Sequence, residues 1–178
     1  YPGGPEISWL AQKKKSYEVQ PHKISLPRPM INSKDHNFSF SGLKTAVLYL
    51  TRDLGKTKTK KFSAEIAKEF QDAVVEVLVK KTICAAKAYK VKTILLGGGV
   101  AANNLLRKRI VEETKKNLPA TTYQLPALFM TGDNALMIAL AAYFSPPHQI
   151  SKKATSARQL NRVQADANAR LDRNLVWG

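Results

Sequence analysis

The chain has 178 residues, of which 44% are hydrophobic, so it can bury a core of its own, and this composition excludes disorder of the whole chain. Its 29 Lys and Arg residues against 13 Asp and Glu residues give a net charge of +16. That charge favours a polyanionic partner, with nucleic acid as the leading candidate and a basic surface that only aids solubility as the alternative. The single cysteine, Cys84, excludes an internal disulfide, and its apolar neighbours predict that it is buried in a protein of a reducing compartment.

The sequence shows no membrane anchor. The longest unbroken apolar run, Ala135–Phe144, is too short for a bilayer, which needs ~20 residues. We therefore expect no membrane partner and a cytoplasmic location. The chain begins at Tyr1 without the basic and apolar regions of a signal peptide, and we expect further sequence in front of it.

Loops are predicted to dominate the first forty residues. Prolines and glycines within residues 1–5 favour a turn, and a short helix is expected over residues 6–14. Prolines between residues 17 and 37 prevent any long element, so this stretch is predicted to be an extended surface connection. A loop of this length is typical of a functional or mobile segment.

Two helices are predicted next in the chain. Ser41 is expected to cap a helix that ends near residue 53. The lysine-rich residues 55–61 then predict a basic linker, which is either a solvated loop or an RNA contact. Over residues 63–89, apolar side chains recur at spacings of three and four, which predicts one long amphipathic helix.

An α/β pattern occupies the second half of the chain. Residues 93–96 predict a buried strand, residues 102–117 a helix and residues 121–125 a second strand, so the glycines after the first strand complete a βα unit. After a loop comes the apolar helix Ala135–Phe144, ended by prolines. Residues 151–178 are polar and basic, and they are expected to cover the surface or to return to a part of the protein outside this chain.

The segment from Gly97 to Asn103 lies between the first strand and its helix, where backbone amides and the helix dipole form an anion site. The pattern Gly97-x-Gly99-x-x-Ala102 also meets the loose dinucleotide fingerprint, but the glutamates that follow fall on the predicted helix and not after a second strand. Valine and alanine after the glycines exclude a P-loop. A turn without ligand, a phosphate site and a dinucleotide site all stay open for this loop by itself.

Asp133 and Asn134 precede the last apolar helix, so either residue can cap it. A carboxylate held there also suits an oxygen ligand of a metal, although one carboxylate cannot form a site alone. The histidines His22, His36 and His148 show no pair at helical ligand spacing. Other metal ligands would therefore come from outside these motifs.

Four ordered segments carry a family resemblance, at residues 1–5, 38–45, 98–103 and 131–139. In these segments the chain resembles the TsaD family, formerly described as O-sialoglycoprotein endopeptidases. Members of that family transfer threonylcarbamoyl from its adenylate to a tRNA adenosine beside the anticodon. No serine or cysteine in this chain is placed with a histidine as a peptidase nucleophile would require.

The resemblance implies an α/β fold that forms the second lobe of an actin-like (ASKHA) ATPase-type fold with a helical insertion. Residues 1–90 would form the insertion and its connecting loops. Residues 91–150 would form the βα nucleotide-binding core of the lobe, and residues 151–178 a basic tail.

The resemblance also implies roles for five residues. Gly4 and Asn103 would contact the adenine nucleotide, which is threonylcarbamoyl-AMP, ATP or ADP. Gly98 and Gly99 would lie against that nucleotide, and Asp133 would bind a divalent metal, iron or zinc. Such a metal would polarise the carbamoyl group for attack by the tRNA amine. tRNA and companion proteins of the threonylcarbamoyladenosine pathway are the implied partners.

Two departures from the family pattern limit what the chain is expected to do alone. The family's His-x-x-x-His metal-binding pair is absent from this sequence, and Gly132 stands between Thr131 and Asp133 where the family reads Thr-Asp-Asn. We therefore expect the chain alone to be inactive, and the histidines to come from a missing amino-terminal lobe of the same protein. The alternative function is a non-catalytic basic module that binds nucleic acid.

Overall fold

The computed structural model describes residues 3–13, 24–132 and 134–144. In chain order its main elements are α1 (Gly3–Gln12), α2 (Ser41–Lys61), α3 (Ser63–Ala88), β1 (Thr93–Leu95), α4 (Asn104–Asn117), β2 (Thr122–Gln124) and α5 (Ala135–Phe144). Short 3-10 helices span Gly99–Ala102 and Leu128–Met130. The chain divides into two compact units after residue 133, so α5 is described by itself.

A parallel pair of strands forms the sheet. Thr93 of β1 lies opposite Thr122 of β2, and Leu95 lies opposite Gln124. The amide of Leu96 donates to the carbonyl of Gln124 at 3.1 Å and extends the ladder by one residue. Since α4 connects the two strands, the predicted βα unit is confirmed, and with it the α/β class.

Helix α3 lies at the centre of the larger unit and is buried on two sides. One side packs on β1 and α4, with a core of Val75, Val79, Ile83, Ala86, Ile94, Leu106 and Ile110. The other side packs on α2 and the preceding loop through Ala73, Leu43 and Leu26. The long helix predicted over residues 63–89 is therefore confirmed, with two buried faces where one stripe was expected.

The predictions for the starts of α1 and α2 were wrong. Helix α1 begins at Gly3, so Gly3 and Pro5 are helical and not part of a turn. A proline fits there because the amides of a first helical turn have no acceptor within the helix. At α2 the N-cap is Phe40, and Ser41 is the first helical residue with no side-chain cap.

The predicted basic linker at residues 55–61 is helical, which corrects that interpretation. The backbone does break at Gly55, with φ 71° and ψ 167°, a conformation that favours glycine. Helical geometry then resumes and runs to Lys61. Thr59 Oγ1 donates to the carbonyl of Thr51 at 3.1 Å, so the chain folds back on itself at the kink.

Cys84 is exposed, contrary to the prediction that it is buried. The buried faces of α3 include Ala73 on one side and Val79 and Ile83 on the other. Cys84 comes eleven residues after Ala73 and so lies on nearly the same side of the helix, but it is exposed because this side is not covered at Cys84. The apolar character of its sequence neighbours therefore gave the wrong environment.

The connection before α2 is anchored along α3. Arg28 donates to the carboxylates of Glu69 and Glu76, and the Glu69 carboxylate also accepts the amide of Leu26 at 3.0 Å. Burial raises the pKa of Glu69, but the hydrogen bonds from Arg28 and Leu26 outweigh it and leave that pKa below its ordinary value. Further along, Lys81 of α3 is buried under the same loop. The described part of this connection, residues 24–37, is thus held in place by charged side chains.

Helix α5 matches the apolar helix predicted at Ala135–Phe144. Asn134 Oδ1 accepts the amide of Met137 at 2.9 Å, so Asn134 caps this helix. Across the described ranges, no helix has the length and apolar character needed to cross a membrane. The prolines expected to end α5 and the tail at residues 151–178 lie outside the described residues, and the division into insertion, core and tail stays a prediction.

Candidate functional site

The candidate site lies where the two parallel strands end. Both strands run in the same direction, so their carboxyl ends meet at one edge of the sheet, where ligands bind in open α/β folds. Gly97 and Gly98 follow β1 at this edge, and Pro126 follows β2. The edge therefore brings the glycine loop, in which the sequence predicted a nucleotide site, next to the loop that follows β2.

The glycine loop has an open, glycine-dependent backbone. Gly98 adopts φ 80° and ψ 173°, a conformation that L side chains rarely adopt, and a 3-10 helix begins at Gly99. A Cβ built on Gly97, Gly98 or Gly99 would meet no atom within 4 Å. The amides of Gly97 and Gly98 have no hydrogen-bond partner among the described residues. The loop thus offers free donors and open space to an anion.

Asn103 joins three elements through its side-chain amide. Its Oδ1 accepts the amide of Leu106 at 2.9 Å, which makes Asn103 the N-cap of α4. Its Nδ2 donates to Ser8 Oγ of α1 at 3.1 Å and to Gln71 Oε1 of α3 at 2.9 Å. Both amide protons are used within the protein. A nucleotide would therefore contact Asn103 through its backbone or by displacing one of these partners.

Gly4 reaches the same region through α1. It lies in the first turn of that helix, one turn before Ser8 and about 6 Å from it along the axis. Gly4 is exposed and lies on the same side of α1 as Ser8, which is hydrogen-bonded to Asn103. The structure thus connects α1, on which Gly4 lies, to Asn103, and it places Gly98 and Gly99 in the loop that leads to Asn103.

Arg107 bridges the two loops at the edge of the sheet, and the sequence analysis did not identify it. Its Nη1 donates to the carbonyl of Ala101 at 3.0 Å and its Nη2 to the carbonyl of Pro126 at 2.8 Å. Arg107 lies one helical turn after the cap at Asn103, and helical side chains point back toward the amino terminus. This spacing from Asn103 is the sequence feature that could have indicated a role for Arg107 at the site. Ser8 and Gln71 gave no signal, because they reach Asn103 only through the tertiary fold.

The geometry does not favour the dinucleotide alternative. That class of site needs an acidic residue on a following strand, but β2 contains only Thr122, Tyr123 and Gln124. Glu112 and Glu113 both lie on α4, as predicted. Glu112 pairs with basic side chains of α4, and the Glu113 carboxylate accepts a hydrogen bond from Asn117 at 2.8 Å.

Asp133, the predicted metal ligand, lies outside the described residues. In the described ranges, no three His, Cys, Asp or Glu side chains are grouped closely enough to hold a metal ion. These residues therefore do not provide a metal site by themselves. The alternative prediction for this segment was a helix cap, and the neighbouring Asn134 caps α5.

Comparison with known proteins gives one consistent result. Residues 1–140 match the family described as TsaD, tRNA N6-adenosine threonylcarbamoyltransferase. A protein of that name from Thermosipho africanus is 47% identical over 87% of this chain and 44% of its own length. Proteins of that name from Methylobacillus flagellatus and Listeria monocytogenes are 44% and 43% identical, over 83% and 82% of this chain and 42% and 40% of theirs. The chain thus spans less than half of the length of these curated relatives.

Proposed function

Since the chain belongs to the TsaD family of tRNA N6-adenosine threonylcarbamoyltransferases, we propose that it contributes the nucleotide-binding loop for threonylcarbamoyl transfer from threonylcarbamoyl-AMP to tRNA. The acceptor would be the amine of the adenosine beside the anticodon. The main support is the hydrogen bond that joins α1, the helix of Gly4, to Asn103 at the end of the glycine loop. Free amides and an adjoining helix start are the groups that bind phosphate.

The chain's own share of the reaction would be to bind and orient the adenylate. Gly98 and Gly99 would lie against the phosphate and ribose, and Arg107 would keep the loops after β1 and β2 at a fixed separation. Fixed backbone donors bind a reactive phosphate without reorganisation, which favours a single orientation of the acyl group. For a whole protein of the relatives' length, we propose that it catalyses the transfer and acts with tRNA and companion proteins. We also propose that it has an actin-like fold, of which this chain forms one lobe, and a cytoplasmic location.

A metal remains part of the proposal. Asp133 would be one ligand of iron or zinc, and a segment with a His-x-x-x-His pair would supply the others, since this sequence contains no such pair. Sequencing the gene on both sides of this coding region tests the idea. Finding the pair would support the metal site, and its absence from the full gene would remove it.

Titration calorimetry of the chain with ADP tests the nucleotide proposal. Gly99→Val places a branched side chain into open space beside the loop, so the fold should be kept while a ligand against Gly99 is displaced. We expect at least a roughly tenfold loss of affinity, since about 1.4 kcal/mol of lost contact suffices for that. Gly42→Val is the matched control, because Gly42 is also exposed with open space around it. Undetectable binding by the unmodified chain, or equal affinity of both variants, would contradict the proposal.

A further inference from the structure

The second half of α2 presents a cluster of lysines, which we call the basic tip: Lys56, Lys58, Lys60 and Lys61. All four side chains are exposed. None of them forms an ion pair with a carboxylate in the part of the chain that the structure describes. Helix α2 as a whole carries six basic residues and one acidic residue, a net charge of +5. The basic tip is therefore an uncompensated positive surface.

The tip is held in a defined position. Gly55 turns the chain sharply, and the hydrogen bond from Thr59 to the carbonyl of Thr51 joins the two halves of α2. At the other end the amide of Phe62 donates to the carbonyl of Lys58 at 2.9 Å, immediately before α3 begins. The lysines are thus displayed on a short folded-back helix anchored at both ends.

Helix stability does not account for this arrangement. Cations in the last turn of a helix interact favourably with its dipole, which explains Lys58, Lys60 and Lys61. Lys56 directly follows the break at Gly55 and so stands at the start of a helical segment, where a cation is unfavourable. It also faces Lys60 at a spacing of four residues, where like charges repel. The positive charge at Lys56 and Lys60 therefore lowers the stability of this helical segment, and no described carboxylate offsets that loss.

We propose that the basic tip binds the phosphate backbone of RNA, and specifically of the tRNA in the proposed function, on which this inference rests. Residues 56–61 consist only of lysine and threonine. They lack the apolar and aromatic side chains that form the centre of a protein interface, which disfavours an acidic protein as the partner. Phosphate contacts require only cations and hydroxyl donors, and both are present here.

Fluorescence anisotropy of the full chain with an unmodified tRNA transcript tests this surface. The first variant changes all four tip lysines to glutamine. The matched control changes the same number of exposed lysines elsewhere, at Lys34, Lys87, Lys92 and Lys115. We expect the tip variant to lose about tenfold or more in affinity, and its salt dependence to fall by roughly 0.7–0.9 in log-log slope per lost contact. The control variant should keep most of its affinity for tRNA and most of its salt dependence.

Equal losses in the two variants would show attraction by net charge alone and would overturn the proposal. Unchanged affinity of the tip variant would also overturn it. Polyglutamate of matched charge is the competitor, and its displacement of tRNA as readily as unlabelled tRNA would assign the tip to acidic proteins instead. ADP titration of the tip variant separates this inference from the nucleotide proposal. No hydrogen bond or ion pair among the described residues joins the tip lysines to the glycine loop, so ADP affinity should not change.

Discussion

Lys81 is predicted to be the main anchor of the loop before α2, and replacing it with methionine isolates its charge. The side chain is 3% exposed, and its Nζ donates to Ser33 Oγ at 2.6 Å and to the Met30 carbonyl and Asp35 Oδ1 at 3.2 Å each. All three ammonium donors are therefore used. Methionine keeps the length of the stem and its packing but removes every one of these bonds.

The expected cost follows from these contacts. Hydrogen bonds to a charged group contribute about 1.5–3 kcal/mol each, but they are not additive and the exposed partners regain water when the lysine is lost. We therefore expect a net loss of about 2–4 kcal/mol in the free energy of unfolding of Lys81→Met. For a chain of this size that corresponds to a fall in Tm of roughly 5–15 °C.

Thermal and urea unfolding of Lys81→Met should be compared with those of Lys80→Met. Lys80 is the exposed neighbour, and within the described ranges its side chain makes one exposed hydrogen bond, to Asn32 at 2.9 Å, so its loss should cost less than about 0.5 kcal/mol. Hydrogen exchange should accelerate at the amide of Ser33, which donates to the Met30 carbonyl in the anchored loop. Equal stability of the two variants would refute the role assigned to Lys81.

Three further outcomes are expected. Asn103→Ser should keep a helix cap and be more stable than Asn103→Ala by about 1 kcal/mol in urea unfolding, and equal stabilities would contradict the capping role. Arg107→Ala should cost about 1–2 kcal/mol and weaken ADP binding in the same titration, because both carbonyls of the bridged loops lose their donor. The lowered pKa of Glu69 means that its stabilisation is complete above the ordinary value of 4.5 and is lost as pH falls through the folded value. Glu69→Gln should therefore flatten the acid side of the stability curve, and an unchanged curve would argue against this ion pair.

Local sequence patterns were sufficient for the regular core. Spacings of three and four predicted α3, a short apolar run ended by glycines predicted β1, and alternation over residues 121–125 predicted β2, each strand within a residue or two of its ends. These patterns work for α3 because the helix buries its apolar residues against its neighbours. The prediction that β1 is a buried strand was wrong, since only Ile94 of its residues is buried. The family resemblance predicted Gly4 and Asn103 for one site, and this stays a prediction. The described contact joins Asn103 to Ser8, on the helix that also carries Gly4.

The wrong predictions from sequence concern places where tertiary contacts or the backbone conformation of single residues determine the structure. Helix α2 continues past Gly55 because one glycine absorbs the turn and a side-chain bond from Thr59 holds the returning segment. Cys84 is exposed because the faces of α3 that are covered depend on where the sheet and α2 pack. Gln71 is distant from Asn103 in sequence, so its contact could not be read from local spacing.

Backbone amide NMR of the ¹⁵N-labelled chain during ADP titration tests the central claim most directly. The account predicts that the amides of Gly97, Gly98 and Gly99 shift progressively with ADP, because no hydrogen bond among the described residues uses these donors. The amide of Gly42 on α2 should not move. Saturable ADP binding that leaves all three loop amides unshifted would contradict the claim that this loop holds the nucleotide.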